Sequence, residues 1–217
     1  MQLDVPLAES FTGLANQLLG SGQHPQARAM AEKAVALTPK SSAALKVLGY
    51  SLRHLGLHDQ GREVFETLVR HNPKDPEGLA NLGLAQSHTG RNKEAVDSFR
   101  AAIALHPRFI NAYVALGKHL QSIHHTSEAI EVFEEAQKLD PDSIEIRHGL
   151  MQAISDTCDW PRKERIMPRY LLDVQDEVQR GGASRAFSPG FGAGLAKEPP
   201  NAPPRVLTAL WEFSYKS

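Results

Sequence analysis

Pro39, Pro73, Pro107 and Pro141 stand 34 residues apart, and the residues between them recur in the same register. The clearest unit is 76–109, in which Leu79, Leu82 and Gly83 are followed by Ala95, Phe99, Ala102 and Pro107. The unit from 42 supplies Leu45, Leu48, Gly49, Leu52, Phe65, Leu68 and Pro73. The unit from 110 supplies Tyr113, Leu116, Gly117, Leu120, Ala129, Phe133, Ala136 and Pro141. The unit from 8 is the least regular: Phe11, Leu14, Leu18, Ala27, Ala34 and Pro39, with Ala15 and Ala31 where later units carry glycine and an aromatic ring. A fixed period of this length is the mark of a repeat architecture, in which each unit buries its apolar face only against its neighbours.

Inside a unit the apolar spacing is helical. Leu79, Leu82 and Gln86 share one face of a first helix, and Ala95, Phe99 and Ala102 share one face of a second. Gly83 and Ala95 let the two backbones approach, with Phe99 filling the space beyond. Each proline ends a second helix and opens a connector. Asp75 before Pro76 reads as an N-cap, as do Asn92 and Thr126 at the second helices. This pattern resembles the tetratricopeptide repeat (TPR) family. The resemblance implies an all-α, right-handed superhelical solenoid of helix–turn–helix pairs, whose first helices line a concave groove that binds extended peptides or partner helices.

The expected organisation is a lead-in over 1–7, then four repeats over 8–41, 42–75, 76–109 and 110–143. A capping helix over 144–157 follows, opened by Ser143 and striped with Ile146, Leu150 and Ile154. Residues 158–217 form a Pro/Gly-rich extension of helical and irregular character. A helix is expected after Asp159 and Pro161, interrupted at Pro168, with Ile166, Tyr170, Leu171, Val174 and Val178 on its apolar side. A last amphipathic segment runs from Arg205 through Trp211 and Phe213, a candidate for docking back on the repeats or for self-association.

Charge excludes little but argues against two partner classes. Lys and Arg number 24 against 25 Asp and Glu, a net charge of −1, so no global basic field favours nucleic acid or an acidic membrane. No apolar run approaches the roughly 20 residues needed to span a bilayer. The opening MQLDVPLAESF lacks the features of a signal peptide, and the one cysteine, Cys158, suits a reducing compartment. A cytoplasmic location is expected.

No catalytic constellation emerges. Phosphate loops and nucleophile elbows are missing from the sequence, and Cys158 reads as a thiol without a catalytic partner. Ten histidines raise a metal question, with His54 and His58 four apart and His119, His124 and His125 close together. Zinc needs three or four convergent ligands, and most of these histidines lie at helix ends and turns of different repeats. They read as solvated or capping residues. No metal or cofactor is expected, and no enzyme activity.

By the TPR resemblance, the inner positions are Asn16, Lys46, Tyr50, Arg53, His54, Glu77, Asn81, His88, Asn111, Lys118 and Gln121. They make a mixed polar face suited to a protein or peptide partner. Chaperone-binding members of the family clamp a terminal carboxylate with paired cations. The matching positions here are Thr12, Asn16, Val47, Glu77 and Asn81, or in the next register Lys46, Tyr50, Asn81, Asn111 and Ala115. Neither set supplies the paired cations such a clamp uses.

A second resemblance concerns the end of the repeats. Cys158-Asp159-Trp160, then Phe187-Ser188-Pro189-Gly190-Phe191 and PPRVLTAL, is similar in order to the junction leading into the catalytic region of O-linked N-acetylglucosamine transferases and SPINDLY-like proteins. LANLG at 79–83 resembles that family's repeats, whose asparagines form an inner ladder; here Gly13, Val47 and Ala115 depart from it and Asn81 keeps it. This implies an alternative function: the acceptor-recognising part of such a glycosyltransferase, ending before its catalytic lobes.

Overall fold

The computed structural model describes residues 4–157 and 160–179, and within them every regular element is an α-helix. The order is α1 (Asp4–Gly20), α2 (His24–Leu37), α3 (Ser42–His54), α4 (His58–His71), α5 (Pro76–His88), α6 (Asn92–Leu105), α7 (Ile110–Ser122), α8 (Thr126–Leu139), α9 (Ile144–Thr157) and α10 (Trp160–Gln179). Each odd-numbered helix packs on the even one that follows it, and each even one on the next odd one, as a solenoid of helix hairpins requires. Odd helices also meet one another, α1 with α3, α5 with α7 and α7 with α9, so they form a layer of their own. Among the described residues no helix is long and apolar enough to cross a membrane.

The repeat glycines have a sharper role than close backbone approach. A methyl group at Gly83 would sit 2.8 Å from the Phe99 ring, and one at Gly117 would sit 2.6 Å from Phe133 Cζ. The aromatic ring of each second helix therefore lies directly on the glycine of the first, not in the space beyond it. Gly49 and Phe65 repeat the arrangement, and Phe133 is pressed from its other side by Gly149, 2.5 Å from where a methyl would stand. The first hairpin makes the exchange in reverse: Ala15 replaces glycine and Ala31 replaces the ring, and both are fully buried. The added methyl at Ala15 makes up only part of the volume that Ala31 gives up relative to a phenylalanine ring.

Two kinds of turn alternate. Asp75 caps α5 as expected, accepting from the N–H groups of Glu77 and Gly78 at 3.1 and 3.2 Å, and Ser143 caps α9 by accepting from the Ile146 N–H at 3.4 Å. Asn92 and Thr126 do not act as caps. They are the first residues of α6 and α8, whose preceding residues Arg91 and His125 make no side-chain cap. Those helices start from a turn that closes the helix before: Arg91 N–H reaches back to Gln86 O at 2.9 Å and Gly90 N–H to Ser87 O at 3.2 Å. That pattern needs one left-handed residue. It is Gly22, Gly56 or Gly90 at φ of 72 to 76°, but His124 at φ 62° in the fourth turn. A side chain in this region costs roughly 1–2 kcal/mol, offset in part by the entropy glycine loses on folding. His124→Gly should raise the urea midpoint, by about 0.5–1 kcal/mol in stability, and Gly90→His should lower it.

At the C-terminal end the stripe Ile146, Leu150 and Ile154 is fully buried, and α10 covers it with Ile166, Met167 and Tyr170. Helix α9 is thus the first half of a further hairpin. Arg147 is buried and donates to the carbonyls of Pro141 and Asp142, tying the α8–α9 connector to α9. Helix α10 runs unbroken through Pro168, contrary to the expected interruption. The proline is exposed and so is Glu164, whose carbonyl it deprives of a donor, so water can satisfy that group. Helix α1 begins at Asp4, inside the stretch read as a lead-in. Cys158, Asp159 and the segments from 180 onward, including the Phe187–Phe191 run and the Trp211 tail, lie outside the described residues.

Candidate inner-face binding site

Lys46, Tyr50, Arg53, Glu77 and Asn81 are brought together as one hydrogen-bonded network across α3 and α5. Lys46 Nζ lies 2.9 Å from Asp75 Oδ2 and 2.6 Å from Glu77 Oε2. The Tyr50 hydroxyl donates to Glu77 Oε1. The Asn81 amide nitrogen donates to the Glu77 backbone carbonyl at 2.8 Å, and Arg53 Nη1 donates to Asn81 Oδ1 at 3.3 Å. The guanidinium also stands 5.4 Å from the centre of the Tyr50 ring, within cation–π range. Sequence reasoning identifies Asp75 only as a helix cap. It is also a partner of Lys46, so it joins the entry of α5 to the α3–α5 network.

Charge within the network is balanced. Burial alone would raise the Glu77 carboxyl, but hydrogen bonds from Lys46 and Tyr50 outweigh it and hold Glu77 below its ordinary value. Burial likewise acts to lower Lys46, and its bonds to Glu77 and Asp75 win and raise it. Tyr50 is pushed above its ordinary range, by burial first and then by Glu77. The phenol therefore stays protonated and acts as a donor.

Other inner positions are placed separately. Lys118 reaches Glu145 on α9 at 2.5 Å. Asn16 and Asn111 are exposed on α1 and α7, and Gln121 is half-buried with its Nε2 lacking a hydrogen-bond partner.

Of the histidines expected to be solvated or capping, His71, His106, His124 and His125 are exposed, whereas His24, His54, His58, His88 and His119 have specific side-chain or ring partners. His24 at the start of α2 stacks on His54 at the end of α3, centroids 4.5 Å apart and 5° between planes; His58 stacks on His88 at 4.4 Å and 18°. The pairs are one repeat apart. Each bridges the entry of a second helix to the exit of the next first helix. His54 and His58 do not pair with each other, despite their spacing. His119 is buried, with Nδ1 2.7 Å from Ser87 Oγ and Nε2 3.2 Å from the Asn92 carbonyl. No group of three or more His, Cys, Asp or Glu able to hold a metal stands among the described residues.

Stacking has a pH consequence. The covered face of each ring is out of water although His54 and His88 are exposed overall. Burial first, then the neighbouring histidine and the Arg53 charge, hold His54 and His88 below the ordinary value of 6.5. A base whose folded pKa is depressed takes up its proton first in the unfolded chain. The stability of the stacks is therefore fully present above 6.5 and falls away as the pH drops below it. Urea midpoints measured from pH 8 to 5 should decline, and a His54→Gln/His88→Gln variant should show a flatter decline.

Comparison with known proteins bears on this geometry. Family models described as "Tetratricopeptide repeat" match residues 18–83, and then 76–109 and 110–143, so the matches together span 18–143. No curated protein matches the chain. Among solved structures, MamA from Desulfovibrio magneticus RS-1 is similar at 19% identity and TM-score 0.68, covering 82% of this chain and 97% of that one. A thermophilic TPR protein of Thermus thermophilus, TTC0263, gives 19% identity, TM-score 0.66, and coverage of 87% and 99%. YrrB, described as a TPR protein with an unusual peptide-binding site, gives 17% identity, TM-score 0.56, and coverage of 74% and 81%. At these identities the likeness concerns the fold.

Proposed function

The chain belongs to the tetratricopeptide repeat family, and from that premise we propose that it is a protein-interaction module which takes a partner segment into the groove of its odd-numbered helices. The observation that carries this reading is the α3–α5 network. Five polar side chains from two helices are fixed by each other before any partner arrives, which lowers the ordering cost of binding. Tyr50 and Asn81 hold polar edges beside a half-buried aromatic ring, the combination found at interface anchors. The peptide-binding site in the description of YrrB supports the same use of this fold by analogy. The module acts by capture and without catalysis of its own.

The test is capture from lysate by the intact chain beside a Lys46→Ala/Tyr50→Ala/Asn81→Ala/Lys118→Ala variant shown by circular dichroism to be folded. Loss of a partner in the folded variant is expected. Equal retention by both would place binding on the even-numbered helices or beyond residue 179, and would sink the reading.

A further inference from the structure

We infer that the Arg53 locus, between α3 and α5, is a carboxylate-binding subsite, so that the segment taken into the groove is an acidic peptide. The inference rests on the groove reading and names the chemistry of its partner. The Lys and Arg side chains among the expected inner positions, Lys46, Arg53 and Lys118, are not alike. Lys46 is held by Asp75 and Glu77, and Lys118 by Glu145. Arg53 has no carboxylate partner among the described residues: its acceptor is the neutral amide oxygen of Asn81, and its other contact is the Tyr50 ring. A guanidinium carries five N–H donors in a planar fork. One bond to an amide leaves most of that fork without a protein acceptor.

The surroundings favour a ligand at that edge. Asn81 is fixed by its own donation to the Glu77 carbonyl at 2.8 Å, so its oxygen holds Arg53 in place. Tyr50 supports the guanidinium through its ring, and a half-buried fork backed by an aromatic ring matches a carboxylate in two parallel hydrogen bonds. His54 and His88, which both feel the Arg53 charge, add imidazole N–H groups nearby and no negative charge. Local charge chooses among anions. One cation, with the Glu77 carboxylate bonded next door to Tyr50, suits a single negative charge; a phosphate dianion would meet the Glu77 charge as well.

The experiment presents the full chain to an immobilised array of random dodecapeptides at low salt, and the tightest sequence is remade in solution. The selected sequences should be enriched in Asp and Glu. Arg53→Gln should weaken the tightest peptide by about tenfold or more, and changing the peptide's own Asp to Asn should do the same. Combined, the two changes should weaken binding little beyond either alone. Arg53→Lys, which keeps the charge but not the fork, should fall between, and it serves if the Gln variant is less well folded. Arg100→Gln on α6 should leave binding unchanged. Tight peptides without acidic enrichment that still fail on the quadruple groove variant would leave the groove reading standing and overturn the subsite. Tighter binding when phosphoserine replaces the acidic residue would overturn the carboxylate assignment. Peptides indifferent to every groove variant, or no binding peptide at all, would overturn the groove reading and the subsite with it.

Discussion

Phe133→Ala should lower the stability of the chain by roughly 3–5 kcal/mol, read from the urea midpoint. The ring is fully buried and lies between Gly117 and Gly149, both too close to admit a methyl group. Removing it empties a space walled by helix backbone from α7 and α9, which cannot collapse without shifting two hairpins. The converse change, Gly117→Ala, should cost roughly 1–3 kcal/mol by overpacking against an intact ring. Joined to Phe133→Ala, it should instead recover part of the loss, because the new methyl enters the vacated space. That recovery is the informative result. The first hairpin already holds the paired solution, with Ala15 on Ala31, so the double variant copies a packing this chain uses elsewhere. Strict additivity of the two single changes would show that glycine and ring are not direct partners.

The second large effect is expected at Asp75. Its carboxylate is buried, caps α5 through two backbone N–H groups, and lies 2.9 Å from Lys46 Nζ. Asp75→Ala should cost about 2 kcal/mol, combining a lost N-cap with a weakened charge-assisted bond. Asp75→Asn keeps an oxygen that can cap the helix and loses the charge. It should retain more than half of the stability. If Ala and Asn cost the same, the ion pair with Lys46 rather than the cap carries the effect.

The regular features of the fold are legible in the sequence because they rest on local rules. Proline cannot continue a helix, Asp before Pro caps one, and apolar residues three and four apart define a buried face. Those rules place the hairpins and identify Asp75 and Ser143. They fail at Asn92 and Thr126, where a left-handed turn at the end of the preceding helix supplies backbone hydrogen bonds and no side-chain cap is used. They fail again at Pro168, whose exposed position lets the helix run on.

The site is legible only in part. The helical phase of Lys46, Tyr50, Arg53, Glu77 and Asn81 puts them on one side of their helices, but nothing local says that Tyr50 bonds Glu77 rather than solvent. The histidine stacks show this best. His54 and His58 look like a pair in sequence, yet each faces a residue 30 positions away, because neighbours across a solenoid are set by the repeat and not by the helix turn. The signal is present in the period itself: His24 and His58, like His54 and His88, are 34 apart.

Hydrogen–deuterium exchange of the chain alone and with its captured partner distinguishes binding on the odd-numbered helices from binding on the even-numbered ones. Exchange should slow in α3, α5 and α7, most strongly across Lys46–Arg53 and Glu77–His88, with α4, α6 and α8 unchanged. Protection confined to α4, α6 and α8 would contradict groove binding and move the interaction to the outer face of the solenoid.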